Sequence, residues 1–424
     1  MRAYIMHKDM VRFRQLSLVS IIGCLKERNR KMKKNLTKFL VLALSCMMVF
    51  AMTACGGGSS DSGSDESTSE NVLHLGGVGP LTGPAALYGN AVKNGAELAV
   101  KEINEANPDG VQLAWDMQDD EHDAEKSVNA YNKLVDDGMQ VLVGTVTTAP
   151  CTAVAAEAYA NRTFALTPSA SGPAVTEGND NVFQLCFSDP NQGIASADYI
   201  TTNYPEATIG VIYNNADNYS TGIYDKFKSE IEAKGKEIAA TEAFADDANA
   251  DFTAQLNSMK NAGVDLIFLP IYYTPASNIM TQADKMGYDV TYFGVDGMDG
   301  ILDLEGFDTS LAEGVLLLTP FTPYSDDENV QKFVTAYEDA YGEKPIQFAA
   351  DAYDCVYAVY DAFGKTGLGT DASMEEICEA MIGVFTGDFT ASGLTAESMS
   401  WNEAGEVDKT PKVCVIEDGK YVEK

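Results

Sequence analysis

Histidine is scarce in this chain, and its cysteines lack the spacing that metal sites and disulfide frameworks use. The 424 residues include three histidines, and neither His74 nor His122 lies near a GxSxG or HExxH motif. The sequence therefore gives almost no support for hydrolytic catalysis. Five cysteines follow Cys55 with no CxxC pair among them, which predicts neither a zinc site nor a disulfide framework. We expect a protein that is not an enzyme and that holds no cofactor and no metal.

Basic residues are also in short supply beyond the N-terminus. Of the 29 lysines and arginines, 11 lie within the first 54 residues, whereas 61 of the 63 acidic residues follow them. A strongly negative protein repels phosphate backbones and anionic lipid headgroups. The charge balance therefore excludes nucleic acid and an anionic membrane face as partners, and it carries no information about the fold.

The first 54 residues have the order of an export signal. Residues 1–31 are basic and featureless, and Met32 opens what reads as the true start. Lys33 and Lys34 precede an uncharged apolar run of 14 residues, 39–52. That length fits a signal peptide and is short for a membrane span. We predict a leader and signal peptide at 1–54.

The apolar run ends in the sequence MTAC, which resembles the lipobox of bacterial lipoproteins, with Met52 where that motif usually has Leu. The resemblance implies lipidation of Cys55 and an extracytoplasmic protein anchored to the outer face of the cell membrane. A secretory signal with an incidental cysteine is the alternative. Residues 55–70 contain no aliphatic or aromatic side chain that could build a core, so we predict a flexible, acidic tether there.

Two hydroxyl-rich turns lie in the stretch from Val141 to Pro173. The first turn (145–148) follows a predicted strand at 140–145, and the second (167–172) follows a predicted strand at 163–166. The carboxyl ends of neighbouring parallel strands, leading into helix N-termini, are where α/β sheets bind anions. These turns contain no base and no competing cation, so they can hold a carboxylate. Helix capping by the same Thr and Ser side chains is the alternative.

Strands and helices alternate from Asn71 onwards. The pattern begins with a strand at 72–78 and an amphipathic helix at 91–104, and a second series begins with a strand at 209–213. Such alternation implies α/β architecture with doubly wound parallel sheets. About 350 ordered residues are too many for one core, so we expect two lobes.

The ordered motifs of this region resemble those of the leucine/isoleucine/valine-binding proteins. The opening GGVGPLTG (76–83), the segment NGAELA (94–99), NYSTG (218–222), FGVDG (293–297) and WNEAG (401–405) all match in sequence order. Members of this family are substrate-binding components of ABC importers with the type I periplasmic-binding fold. The resemblance covers residues 71–424.

The resemblance implies two doubly wound parallel-sheet lobes that the chain crosses three times, which makes a three-stranded hinge. Lobe one would take residues 71–187 and 321–400, and lobe two would take 188–320 and 401–424. The partners it implies are a small-molecule amino acid, most readily of the branched-chain type, and the permease and ATPase subunits of an importer. The protein itself would be a monomer.

The same resemblance assigns the binding site in the cleft between the lobes. It implies that Thr147 and Thr148 in the first turn, with Ser169 and Ser171 in the second, bind the ligand carboxylate. Asp296 would pair with the ammonium group, although many family members have Glu there. The side chains that would form the walls of the cleft are aromatic: Tyr88, Tyr219, Tyr273 and Phe348.

Several alternatives compete with this assignment. The glycines at 77, 79 and 83 do not have the dinucleotide-binding spacing, because the third comes one residue late. The acidic run 119–123 could suggest a metal, but it sits where acids cap a helix. A ligand-binding sensor lipoprotein remains an alternative to a transporter component. The aromatic walls also fit an amide, urea or an aromatic acid as ligand.

Overall fold

The computed structural model describes residues 71–245 and 251–424. The export signal, Cys55 and the tether lie outside these residues. The described strands are β1 (Val72–Gly79), β2 (Gln112–Asp119), β3 (Val141–Val143), β4 (Phe164–Thr167), β5 (Val182–Gln184), β6 (Ile209–Asn214), β7 (Ile238–Phe244), β8 (Leu266–Leu269), β9 (Thr291–Gly294), β10 (Leu316–Thr319), β11 (Lys412–Glu417) and β12 (Lys420–Glu423).

The described α-helices alternate with these strands. They are α1 (Ala86–Ala106), α2 (Ala124–Asp136), α3 (Thr148–Asn161), α4 (Asp189–Asn203), α5 (Asn218–Ala233), α6 (Thr253–Asn261), α7 (Tyr273–Lys285), α8 (Glu328–Tyr341), α9 (Gln347–Thr366) and α10 (Met374–Phe385). None of the helices within 71–245 and 251–424 is both long and apolar enough to cross a bilayer.

Two sheets divide the strands between them, and each forms the centre of a lobe. Lobe one is built on a five-stranded parallel sheet in the order β2-β1-β3-β4-β5. Lobe two is built on a seven-stranded sheet in the order β12-β11-β10-β9-β8-β6-β7. Helices α9 and α10 return from lobe two to pack against α1 and β4 of lobe one. The chain therefore passes between the lobes after β5, after β10 and before β11.

The sheet of lobe two is not wholly parallel. Strand β11 runs antiparallel to β10, and β12 runs antiparallel to β11. The sequence predicted a final strand at 412–416 and missed β12. Asp418 and Gly419, both at positive φ (52° and 67°), form the two-residue connection between these strands. An Asp-Gly pair with both residues at positive φ is typical of the type I′ turn, which matches the twist of a hairpin.

The lobe boundaries stay a prediction, but the contacts of Trp401 favour a later third crossing. Trp401 was assigned to lobe two. Its ring packs against Phe385 and Phe389, and its Nε1 donates to the carbonyl oxygen of Gln184 in β5 over 2.7 Å. All three partners belong to lobe one. We propose that the third crossing lies just before Lys412, where β11 begins.

Candidate functional site

The two hydroxyl-rich turns lie side by side, because β3 and β4 are parallel neighbours. Hydrogen bonds join the turns: the Ser169 hydroxyl donates to the Val146 carbonyl oxygen over 2.7 Å, and the Gly172 N–H donates to Thr148 Oγ1 over 3.3 Å. Thr167 Oγ1 likewise donates to the Thr145 carbonyl oxygen over 2.6 Å. Some of the hydroxyls therefore stabilise the turns themselves, and none of these three hydrogen bonds is a helix cap.

Helix α3 begins at Thr148, directly after the first hydroxyl-rich turn, with Thr147 as its N-cap residue. Neither threonine caps the helix through its side chain; the Thr147 hydroxyl lies 2.9 Å from His122 Nδ1 instead. The backbone N–H groups of the first helical turn have no acceptor within the helix. Together with the positive end of the helix dipole, they give this position the chemistry of an anion site.

Asp296 faces these turns from the other lobe. It begins the single 3₁₀ turn Asp296–Met298 directly after β9, and its side chain is 3% exposed. Its Oδ1 accepts hydrogen bonds from the Tyr219 hydroxyl over 2.5 Å and from the Gly297 N–H over 2.7 Å. Burial raises the pKa of Asp296 to about 6, and the hydrogen bonds from its neighbours offset part of that rise. The result is a buried acid that is ionised at neutral pH.

A small cavity separates Asp296 from the hydroxyl turns. It has a volume of about 250 Å³. Its lining residues come from both lobes: Tyr88, Val146, Thr147, Thr148, Ser169, Tyr219, Tyr272, Asp296, Gly297 and Phe348. None of these lining residues is a lysine or an arginine, so Asp296 carries the only formal charge among them.

Aromatic rings form the cavity walls. The Tyr88 ring meets that of Phe348 edge-on, with 4.7 Å between their centroids, and Tyr219 stacks on Tyr272 with 4.8 Å between centroids. The Tyr88 hydroxyl donates to the carbonyl oxygen of Gly297, which joins lobe one to the loop that carries Asp296. Two of these four rings therefore come from each lobe.

The structure places most of the predicted site residues around this one cavity. Thr147, Thr148, Ser169, Asp296, Tyr88, Tyr219 and Phe348 all line it. Ser171 and Tyr273 are buried beside it but do not line it. The Tyr273 hydroxyl donates to the Pro84 carbonyl oxygen over 2.8 Å, so this ring bridges the lobes. The roles of all these residues in ligand binding stay predictions.

Sequence reasoning missed Tyr272 and His122. Tyr272 directly precedes helix α7, and the resemblance had assigned the cleft wall to its neighbour Tyr273 instead. His122 has a left-handed backbone (φ 62°), and its ring meets the Tyr272 ring edge-on, with 5.8 Å between centroids. Burial lowers the pKa of His122, so the ring is neutral at pH 7. The positive φ was invisible in the sequence, and the ring contacts Thr147 and Tyr272, which line the cavity.

The acids of the run 119–123, which could have suggested a metal, accept hydrogen bonds from nearby protein groups. Asp119 accepts from Leu81 N and Thr82 Oγ1, and Asp123 caps helix α2 by accepting from Lys126 N. Within the described ranges, no three His, Cys, Asp or Glu side chains cluster closely enough to hold a metal ion. The contacts of these acids are those of turn and cap residues.

The glycines after β1 have a packing explanation. A β-carbon on Gly77 would lie 2.4 Å from the Trp115 ring, and one on Gly79 would lie 2.4 Å from the Val146 side chain. Both glycines therefore give room to neighbouring side chains within lobe one. This packing accounts for them without a bound dinucleotide.

A larger groove lies in lobe two, far from the hydroxyl turns. Its lining includes Asp265, Tyr288 and Thr291, and it has a volume of about 1310 Å³. Thr291 begins β9, so this groove lies at the amino end of that strand. Ligands of open α/β sheets bind beyond the carboxyl ends of the strands. We therefore take the smaller cavity at Asp296 as the candidate site.

Comparison with known proteins identifies the family. The model of the periplasmic binding protein family matches residues 72–399, which is well over half of the chain. The chain belongs to the periplasmic binding protein family. The family resemblance and the two-lobed fold class predicted from the sequence are both confirmed.

Relatives of this periplasmic binding protein span most of its length. A Leu/Ile/Val-binding protein of Rhizobium johnstonii is 30% identical over 351 residues, which cover 79% of this chain and 93% of the relative. A leucine-, isoleucine-, valine-, threonine- and alanine-binding protein of Pseudomonas aeruginosa is 29% identical over 307 residues. These residues cover 72% of this chain and 80% of the relative.

Solved structures show the same fold with different ligands. The branched-chain amino acid transporter substrate-binding protein LivJ of Streptococcus pneumoniae, in complex with isoleucine, is similar with a TM-score of 0.74 and 28% identity. The similarity covers 83% of this chain and all of that one. A solute-binding protein of Rhodopseudomonas palustris in complex with benzoate has a TM-score of 0.73 at 21% identity. The similarity covers 83% of this chain and 95% of that one. The second likeness shows the fold alone.

Proposed function

We propose that this periplasmic binding protein captures a free α-amino acid, foremost of the branched-chain type, and delivers it to the permease and ATPase of an ABC importer. The observation that carries the proposal is the position of Asp296. A buried acid lies across a small cavity from a helix N-terminus and two hydroxyl turns. These two ends complement the ammonium and the carboxylate of one amino acid.

Each ligand group has a matching surface in this proposal. The ligand carboxylate would bind the first turn of α3 and the hydroxyls of Thr147 and Thr148. The ammonium would pair with Asp296. The aliphatic side chain would pack against the aromatic walls, where burial of apolar surface contributes about 25 cal/mol per Å². The named ligands of the Rhizobium and Pseudomonas relatives, and the isoleucine of LivJ, support this choice.

Aromatic acids are the competing ligand class, because fold neighbours bind benzoate and its hydroxylated relatives. Benzoate carries one negative charge and no ammonium. Bound in this cavity, it would leave Asp296 as an unneutralised charge in a buried site that has no lysine or arginine in its lining. Burying two like charges without a partner is costly. The charge of the site therefore favours a zwitterion.

A thermal-shift screen tests the ligand class. At 100 times its Kd a ligand stabilises a protein by about 2.7 kcal/mol. We expect leucine, isoleucine or valine to raise Tm most among the twenty amino acids, and benzoate to leave it unchanged. A larger shift with benzoate than with any amino acid would overturn the proposal.

Ligand entry requires the cavity to open, because its walls are buried and come from both lobes. We propose a hinge motion about the three crossings, with contacts to the ligand made in the closed form. Small-angle scattering should then show a smaller radius of gyration with the bound amino acid than without it. An identical scattering profile would count against hinge closure.

We also propose the membrane-anchored form predicted from the N-terminus. Mass spectrometry of the protein from a membrane fraction should find a diacylated N-terminal Cys55. A chain that retains residues 1–31 would contradict this prediction. A processed chain without the lipid would support the secretory alternative instead.

A further inference from the structure

Asp189 is a buried acid to which the sequence assigned no role. It is the first residue of helix α4, on the segment where the chain first passes from lobe one to lobe two. The residue is 0% exposed, and its carboxylate oxygens have no hydrogen-bond partner other than the neighbouring Ser171 hydroxyl. Buried carboxylates usually accept several hydrogen bonds, so one with a single hydroxyl beside it calls for a functional explanation.

The Asp189 carboxylate lies where the two lobes meet. A β-carbon on Gly172, in the second hydroxyl turn, would be 3.4 Å from Asp189 Oδ2. A β-carbon on Gly222, in helix α5 of lobe two, would be 3.3 Å from the same atom. The backbone N–H of Asp189 donates to the Ser171 carbonyl oxygen over 2.9 Å, which fixes the acid against the second turn.

One helical turn connects Asp189 to the candidate site. Gln192 lies three residues later on the same face of α4, and its Oε1 accepts the N–H of Asp296 over 3.1 Å. The Ser171 hydroxyl, also fully buried, lies beside the Asp189 carboxylate and has no other hydrogen-bond partner. The neighbourhood of Asp296 thus contains two further acceptors, a carboxylate and a hydroxyl, with bonding capacity that these contacts leave unfilled.

The electrostatic surroundings of Asp189 disfavour its ionised form in the absence of a cation. Burial raises its pKa well above the usual value, the Ser171 side chain offsets part of the rise, and the acidic groups of Asp296 and Asp217 raise it further. A primary ammonium supplies a positive charge and three N–H donors. Asp296, Asp189 and Ser171 provide three acceptors for it.

We propose that Asp189 is a second acid of the ligand site, which receives the ammonium group of a bound amino acid together with Asp296. This inference rests on the proposed function and extends it. The site then selects for a free α-ammonium, because an ammonium places a positive charge and N–H donors between the two acids, which a simple carboxylic acid does not supply.

The test compares Asp189→Asn with the wild type and with Asp225→Asn, which removes an exposed acid of α5. Calorimetry uses two probes, L-leucine and its deaminated analogue 4-methylpentanoate. We expect Asp189→Asn to bind L-leucine at least tenfold more weakly and to bind 4-methylpentanoate no more weakly than the wild type. Asp225→Asn should match the wild type with both probes.

Proton release provides a second readout. An ammonium beside Asp189 lowers the pKa of that acid, so L-leucine binding near pH 7 should release protons from the wild type. Calorimetry in phosphate and Tris buffers, whose ionisation heats differ, measures this release, and Asp189→Asn should release fewer protons. Asparagine has the same shape without the buried charge, so the unliganded variant should unfold at or above the wild-type Tm. If it fails to fold, Asp189→Ser is the second variant.

The outcomes separate this inference from the function on which it rests. If the wild type binds no amino acid, the proposed function is wrong and the role of Asp189 falls with it. If the wild type binds L-leucine and Asp189→Asn binds it within twofold, only the inference about Asp189 is overturned. Equal losses for L-leucine and 4-methylpentanoate, or unchanged proton release, would also overturn it.

Discussion

The Tyr219 hydroxyl donates to Asp296 Oδ1 over 2.5 Å, and both side chains are buried in lobe two. A phenol donor stabilises the ionised form of the acid, which burial disfavours. The tyrosine thereby orients one carboxylate oxygen and keeps the acid ionised near neutral pH. The same ring stacks on Tyr272, so the acid and the aromatic wall of the cavity are held as one unit.

Asp296→Asn should weaken the binding of an amino acid strongly. Removing one member of a buried ion pair typically costs about 3–5 kcal/mol, which corresponds to roughly 100- to 5,000-fold in affinity. Calorimetry with L-leucine measures the loss, and Asp225→Asn is the exposed control. A variant that binds within a few-fold of wild type would show that the ligand has no ammonium at this position.

The same variant should not lose stability without ligand. The pKa of Asp296 is raised to about 6, so the folded protein holds a proton that the unfolded chain releases near pH 4. Stability from this group therefore falls as pH rises from about 4 to 6. Asparagine removes that penalty, which is at most about 3 kcal/mol. Urea unfolding at pH 8 should show the variant to be at least as stable as wild type.

Affinity for an amino acid should depend on pH through Asp296. Below pH of about 6 the acid is protonated, so it cannot pair with an ammonium group. We expect the affinity to fall by up to tenfold per pH unit below that point, because binding must first remove the proton. Titrations between pH 5 and 8 measure the step. The part of the step that Asp296 causes should be absent in Asp296→Asn, so its pH dependence should be smaller than that of the wild type; a step of equal size in that variant would assign it to another group.

Gly95→Ala should destabilise lobe one. Gly95 lies in helix α1, and a β-carbon there would come within 2.0 Å of the Ala349 carbonyl oxygen in α9. The helices must separate to accept it, and such overpacking costs about 1–3 kcal/mol. Gly364→Ala in α9 is the matched control, because a β-carbon there meets nothing within 4 Å. Its expected effect is a gain of about 0.5–1 kcal/mol from helix propensity. Equal Tm shifts in both variants would refute the packing argument.

Lys409→Met should destabilise the region where the chain crosses between lobes. Lys409 Nζ donates to Asp351 Oδ1 over 2.7 Å, and the two side chains are 1% and 2% exposed. The substitution leaves Asp351 buried without its cation, which typically costs about 3–5 kcal/mol. Adding Asp351→Asn to this variant should restore part of the lost stability.

The control for this pair is Lys412→Met. Lys412 pairs with Glu423 over 3.2 Å, with both side chains about half exposed, so its loss should change stability by less than about 1 kcal/mol. Urea unfolding of the variants gives the comparison. A loss at Lys409 no larger than that at Lys412 would contradict the importance of the buried pair.

Local pattern was enough to predict the α/β class and the meeting of the two hydroxyl turns. Each turn follows a strand of a parallel sheet, and parallel neighbours end at the same edge. That adjacency depends only on strand order and turn composition, both of which can be read along the chain. The position of Asp296 in the loop after β9 was available from the sequence for the same reason.

Tertiary structure alone decided which side chains turn towards the cavity. Tyr272 lines it and its neighbour Tyr273 bridges the lobes, because adjacent residues at the start of a helix point in different directions. His122, with a left-handed backbone, contacts two residues that line the cavity, and Asp189 is buried where Gly172 and Gly222 approach it from opposite lobes. The burial of these side chains, and the hydrogen bonds they lack, depend on contacts with segments distant in sequence. No local sequence pattern could therefore have predicted them.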